Sequence, residues 1–290
     1  MNKPISGVPE YTSAGVIKAS GRYGEKYSVA KIEYQLFGDA QYQYIFTPYW
    51  DIIDGIPADV FHGIPGIEMG MRLKAYYRIN IQPVFITERS PSEDREDLWE
   101  LMESAGLDRY DRFEWLIRTR LSCGNDNLVI ERYRDRVSSY RYEEQKILPE
   151  MIQYGDRVIV KSHRAISENP TVYTEKIFRL LGAGAEIVFE KEGIRIDGKN
   201  RSSVMSVLGY QCYQTRFLQM KKHEKGVLEA KKRGVYRGRK PIVLDELTLR
   251  KVSEQFHTKK ITESQAMRRL GLTSRSTFYR KLKSVRSIKF

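Results

Sequence analysis

The stretch from 155 to 190 constrains the fold most. Gly155-Asp156-Arg157-Val158-Ile159-Val160-Lys161 is a short β-branched run, the composition of a buried strand. Residues 162–168 read as a loop. Asn169 and Pro170 then supply an N-cap and a first helical residue, and Tyr173, Ile177, Leu180 and Leu181 recur at helical spacing until Gly182, which is expected to end the helix. Residues 185–190 form a second apolar strand. Two strands joined by a crossover helix pair side by side in parallel, so the spacing predicts a βαβ unit within a mostly parallel sheet.

After that unit, residues 202–232 hold no proline and favour helix throughout. Val204, Val207, Leu208 and Cys212 make the first half apolar, whereas Lys221, Lys222, Lys225, Lys231 and Lys232 make the second half basic. This pattern fits one long helix that leaves the domain, or two helices broken near Gly226.

The last quarter follows a three-helix grammar. Asp245 caps a helix with Leu249, Val252 and Phe256 on one face. Thr262 and Gln265 form a capping box for a second helix whose inward residues are Ala266 and Leu270, and Gly271 closes it. Ser274 caps a third helix with Phe278 and Leu282 inward. Its outward residues are Arg275, Ser276, Thr277, Tyr279 and Arg280, which together with Ser274 form a polar, basic recognition face of helix-turn-helix type. Before the unit runs 233–241, rich in Gly and Arg, which suits an arm in a minor groove through Arg237, Arg239 and Lys240, or a plain linker.

Charge supports a polyanionic partner. Residues 219–290 carry 21 Lys and Arg against 6 Asp and Glu, a net of +15 where the whole chain has +13, so the preceding 218 residues sum to −2. Basicity concentrated in the segment that also carries the recognition helix matches double-stranded DNA, because each cation set against a phosphate releases counterions. Two cysteines, Cys123 and Cys212, and four scattered histidines give no ligand spacing, so neither a disulfide nor a metal is expected. No apolar run approaches the roughly 18 residues of a membrane span, and the first residues lack a secretory pattern. A cytoplasmic protein, nucleoid-associated when bound to DNA, is expected.

The order of parts over 128–283 resembles the serine recombinases, the resolvase and invertase family. The residues that carry the resemblance are Gly155-Asp156-Arg157, the loop Lys161-Ser162-His163-Arg164-Ala165-Ile166-Ser167, Glu192-Gly193-Ile194, the helix after Ser202, Gly238-Arg239, and Ser274-Arg275-Ser276-Thr277-Phe278-Tyr279. The resemblance implies an α/β resolvase-like domain with a mostly parallel sheet, flanking helices and a long dimer helix, followed by an all-α helix-turn-helix domain. It also implies a site-specific recombinase that cuts and rejoins DNA through a phosphoserine intermediate, without cofactor or metal, as a homodimer or tetramer on paired sites. Arginines stabilise the phosphoryl charge in such chemistry.

Carried over residue by residue, Arg164 matches the first arginine of the loop motif, and Ser167 stands where the second would be. Arg216 matches an arginine of the long helix. Lys222 falls where another is usual, keeping the charge without the bidentate fork. Ser90, after Pro83-Val84-Phe85-Ile86-Thr87-Glu88-Arg89, suits the nucleophile if 83–88 is a strand running into a helix. Ser90-Pro91-Ser92-Glu93 is equally a capping box. Arg136-Val137-Ser138 matches the family's nucleophile stretch by letters but lies close to Gly155. The alternative function is a catalytically inactive recombinase-derived DNA-binding regulator. The expected division is 1–80, of unreadable role; 81–220, the resolvase-like domain; 221–243, the basic helix end and arm; and 244–290, the helix-turn-helix domain. Tyr42, Tyr44 and Tyr49 read as a half-buried strand or as a nucleic-acid stacking surface.

Overall fold

The computed structural model describes residues 4–124, 126–234, 242 and 244–286, with side chains up to 283. In chain order the elements are β1 (Tyr11–Ser20), β2 (Lys26–Leu36), β3 (Tyr42–Pro48), α1 (Trp50–Ile53), β4 (Tyr76–Ile79), α2 (Val84–Thr87), α3 (Leu98–Ser104), α4 (Arg112–Thr119), β5 (Leu128–Arg132) and β6 (Ser139–Arg141). There follow β7 (Arg157–Val160), α5 (Pro170–Ala183), β8 (Glu186–Phe189), β9 (Ile194–Ile196), α6 (Arg201–Lys232), α7 (Glu246–His257), α8 (Glu263–Arg269) and α9 (Arg275–Arg286). The chain divides into two compact units, Met1–Lys221 and Lys222–Phe290. None of the described helices is long and apolar enough to cross a membrane.

Among the described residues the strands of the first unit make two sheets. One is antiparallel, in the order β4-β3-β2-β1-β5. Short turns join β1 to β2 and β2 to β3, and connections this short permit only antiparallel neighbours. The resemblance gave no warning of this sheet. Because β5 pairs with β1, it also runs across the division expected at residue 80. Tyr42 and Tyr44 lie on β3, while Tyr49 precedes α1.

The second sheet has the order β6-β7-β8-β9. Its first three strands are parallel and β9 is antiparallel. The β7-α5-β8 crossover is the βαβ unit expected from 155–190. Asn169 caps α5 by accepting from the amides of Thr171 and Val172. The helix ends two residues later than Gly182 suggested: Gly184, at φ +109°, is the left-handed cap. Gly182 has a packing role instead, since a Cβ there would stand 2.8 Å from the Tyr27 ring. Through that approach α5 packs on both sheets. Ile177, Leu180 and Leu181 are buried, and Phe178 meets Tyr27 edge-on at 5.8 Å.

α6 is a single helix across Gly226, with no break. Arg201, Met205 and Gly209 share one buried face at spacings of four, where Gly209 lies against Phe178 and Met205 against Gly55. Val207, Tyr210, Phe217 and Leu218 remain exposed.

In the second unit α7, α8 and α9 enclose a separate core of Leu249, Val252, Ala266, Leu270, Leu272, Phe278 and Leu282. Asp245 caps α7, Thr262 and Gln265 form the capping box of α8, and Gly271 adopts φ +64°. Each of these local features follows the sequence pattern.

Candidate functional site

Parallel strands bring their carboxyl ends to one edge, and there the loop after β7 presents Arg164. Arg164 is exposed on the turn His163–Ala165 and has no hydrogen bond or ion pair among the described residues. The turn is fixed from three sides. Glu192, just beyond β8, accepts from Ser162 Oγ at 2.7 Å and pairs with His163 Nδ1 at 2.6 Å; the His163 amide also donates to it, at 3.3 Å. Lys176 of α5 donates to the Ile166 carbonyl at 3.0 Å and to the Tyr142 hydroxyl at 3.2 Å. Glu143, following β6, accepts from the Lys161 amide at 2.7 Å. Ser167 accepts from the Asn169 amide at 3.1 Å and leads into α5.

The donors around Glu192, Ser162 first, hold its carboxyl well below the usual carboxylate range, at about 2. A depressed folded-state value contributes stability that is present above the unfolded value near 4.3 and is lost as pH falls through about 2. Glu192→Gln is therefore expected to lose less stability than the wild type when acid unfolding is followed from pH 5 to pH 2. An equal loss in both proteins would remove the carboxylate from this account.

Arg216 and Ser90, also expected at the site, have other partners. Arg216 is on α6 with its guanidinium committed to Glu25 and, at 2.8 Å, to Glu175, and it stacks 4.3 Å over the Tyr23 ring. Burial would raise the Glu25 carboxyl, but the hydrogen bond from Arg216 and nearby amides outweigh it and leave it below its ordinary value. Lys222 is exposed on α6 in the second unit. Ser90 lies at the end of α2, where its hydroxyl donates to the Ile86 carbonyl at 2.9 Å.

The surroundings of Ser90 differ from both sequence readings. Residues 84–87 are one helical turn rather than a strand, and α3 begins at Leu98 behind Asp97, so no capping box forms at Ser90-Pro91-Ser92-Glu93. Arg89 explains the difference. Its buried guanidinium bonds the Phe85 carbonyl at 2.9 Å and pairs with Asp126, which draws the chain into a turn. Arg136-Val137-Ser138 leads into β6, and the Ser138 amide donates to Asp156 at 2.7 Å.

On the second unit Ser274, Arg275, Ser276, Tyr279 and Arg280 are exposed and Thr277 is half-buried. Glu263 of α8 holds two of them, Arg275 Nε at 2.7 Å and the Tyr279 hydroxyl at 3.2 Å. Ser274 and Ser276 hydroxyls lie 3.3 Å apart. Arg280 has no ion pair among the described residues. Arg237, Arg239 and Lys240 of the expected arm lie outside the described residues.

The sequence pattern includes His163 and Glu192 only within the motifs that carry the resemblance, gives them no role, and does not mark Lys176. A usable signal was present: residues directly after neighbouring parallel strands converge, and both His163 and Glu192 occupy such positions.

No family model matches the chain. Among curated proteins it is similar to the Tn501 resolvase of Pseudomonas aeruginosa, the Tn1721 resolvase of Escherichia coli and the Tn4653 resolvase of Pseudomonas putida. Each is 31% identical over 138 residues, an alignment covering 46% of this chain and 72% of the relative.

Proposed function

This chain belongs to the resolvase family of serine recombinases, and on that premise we propose that it is a site-specific recombinase cutting and rejoining double-stranded DNA through a phosphoserine intermediate. The observation that carries this reading is Arg164. An exposed guanidinium without a carboxylate partner among the described residues, on a turn braced by Glu192, Lys176 and Glu143, is arranged to receive a phosphoryl group. Ser90 is the proposed nucleophile, Arg216 and Lys222 are further cations, and the face from Ser274 to Arg280, with Arg237, Arg239 and Lys240 of the arm, holds the DNA. The exposed apolar residues Val207, Tyr210, Phe217 and Leu218 of α6 support pairing of two chains, as a dimer or within a tetramer. Such a protein acts in the cytoplasm, at the nucleoid.

A second reading, an inactive DNA-binding regulator, is favoured by two specific observations. The Arg216 guanidinium is already neutralised by Glu25 and Glu175, and Ser90 is not hydrogen-bonded to any other proposed catalytic residue. Supercoiled plasmid carrying the DNA that flanks the coding sequence separates the two. The recombinase leaves a covalent protein adduct on a 5′-phosphate, lost in Arg164→Ala. Binding without any wild-type adduct establishes the regulator, and an adduct that survives Ser90→Ala removes Ser90 as nucleophile.

A further inference from the structure

We propose that His163, oriented by Glu192, is the proton-transfer residue that serves the leaving oxygen of the cut strand, an inference that rests on the recombinase reading. His163 immediately precedes Arg164 on the turn His163–Ala165, and both side chains are exposed there. The ring is exposed, and its Nδ1 is 2.6 Å from the Glu192 carboxylate. Because that carboxylate stays ionised, it acts as acceptor and fixes the N–H on Nδ1. Nε2 has no partner among the described residues, and the side chain is 54% exposed. A carboxylate that fixes one nitrogen of an imidazole and leaves the other for a reacting group is the arrangement acid–base catalysis requires.

Three further groups surround the imidazole. Ser162 shares the same carboxylate oxygen and restrains it. Tyr173 of α5 lies edge-on with ring centres 6.5 Å apart, and burial together with Glu192 pushes its hydroxyl above the ordinary tyrosine range, so it stays neutral. Arg164 is the neighbouring cation. Glu192 is thus a positioning residue, and His163 is the group that meets the reacting atoms.

The step balances. Attack by the serine oxygen forms the P–O bond to the protein and breaks the bond from phosphorus to the 3′-oxygen. The serine proton passes to solvent water, and the 3′-oxygen leaves as an alcohol by taking the Nε2 proton of the imidazolium. Rejoining reverses the path, with neutral Nε2 accepting the 3′-hydroxyl proton as the phosphoserine is displaced.

The test compares two duplexes built on the junction mapped by the adduct, one with the natural 3′-oxygen and one with sulfur, whose thiolate leaves without a proton. His163→Ala is expected to cleave the oxygen duplex about 10²-fold more slowly and the sulfur duplex at nearly the wild-type rate. Arg164→Ala is expected to be slow on both. Equal slowing of His163→Ala on both duplexes overturns the inference and leaves the recombinase reading standing. A wild-type chain that binds DNA but cuts neither duplex overturns both. Nitrogen chemical shifts of the imidazole supply a readout that needs no cleavage: the neutral ring is expected to carry its proton on Nδ1, and a proton on Nε2 overturns the inference.

Discussion

Arg201→Met is expected to lower the unfolding free energy of the first unit by about 3–5 kcal/mol, the range for removing one partner of a buried ion pair. Arg201 is 1% exposed. It pairs with Asp51 of α1 and donates to the carbonyls of Gly184 at 3.2 Å and Ala185 at 3.0 Å. Its guanidinium also lies 5.1 Å from the Tyr154 ring centre, which stacks on Tyr49 at 3.8 Å and whose hydroxyl donates to Asp51. One side chain thereby joins α1, the end of α5 and the start of α6. Methionine fills the volume but leaves Asp51 without its cation and the buried Ala185 carbonyl without a donor among the described residues, whereas the Gly184 carbonyl keeps the Gly155 amide at 3.0 Å. Exposed pairs such as Arg250 with Glu246 are worth at most about 1 kcal/mol, so their removal serves as the control. Urea unfolding measures the difference, and the double variant Arg201→Met with Asp51→Leu should recover most of the loss, because no charge is then left unpaired. A loss below about 1 kcal/mol in the single variant would show that water reaches Asp51.

Arg201 also shows where the sequence ceased to be informative. Local rules were readable wherever a few neighbouring residues decide the outcome: the Asn169 and Thr262 caps, the Gly271 turn and the helical stripes of α5 and α7 all formed as expected. The helix end at Gly182 was misplaced because Tyr27, remote in sequence, needs the space a side chain would fill, while Gly184 supplies the left-handed backbone. Likewise, the arginine buried at the start of α6 and the one that bends the chain before Ser90 depend on Asp51 and Asp126, partners that no local pattern identifies. The candidate site divides in the same way. Arg164 was legible from its motif, but its bracing by Glu192 and Lys176 appears only once β7, β8 and α5 are side by side. The large antiparallel sheet was hidden because β1 is buried along most of its length and lacks the alternation that marks a half-exposed strand.

Phe278→Ala is expected to abolish sequence-specific DNA binding by unfolding the second unit while leaving the first unit's transition in place. Phe278 is 0% exposed at the centre of a core with only seven buried apolar residues among those described, and Phe256 packs edge-on against it at 5.3 Å. Truncating a buried phenylalanine costs about 3–5 kcal/mol. A three-helix unit spanning residues 244–286 holds on the order of 2–7 kcal/mol in total, from about 0.05–0.15 kcal/mol per residue. The cost therefore removes most or all of its stability. The first unit has its own core and keeps its own transition. Arg280→Ala provides the contrast, since it removes an exposed side chain without disturbing the fold and should weaken binding by about 1–3 kcal/mol if the guanidinium reads a base edge. Helical circular dichroism together with gel-shift titration at two salt concentrations tests both variants. Retained binding by Phe278→Ala would remove the three-helix unit from DNA recognition. A salt-dependent, sequence-independent loss in Arg280→Ala would assign that residue to a phosphate instead of a base.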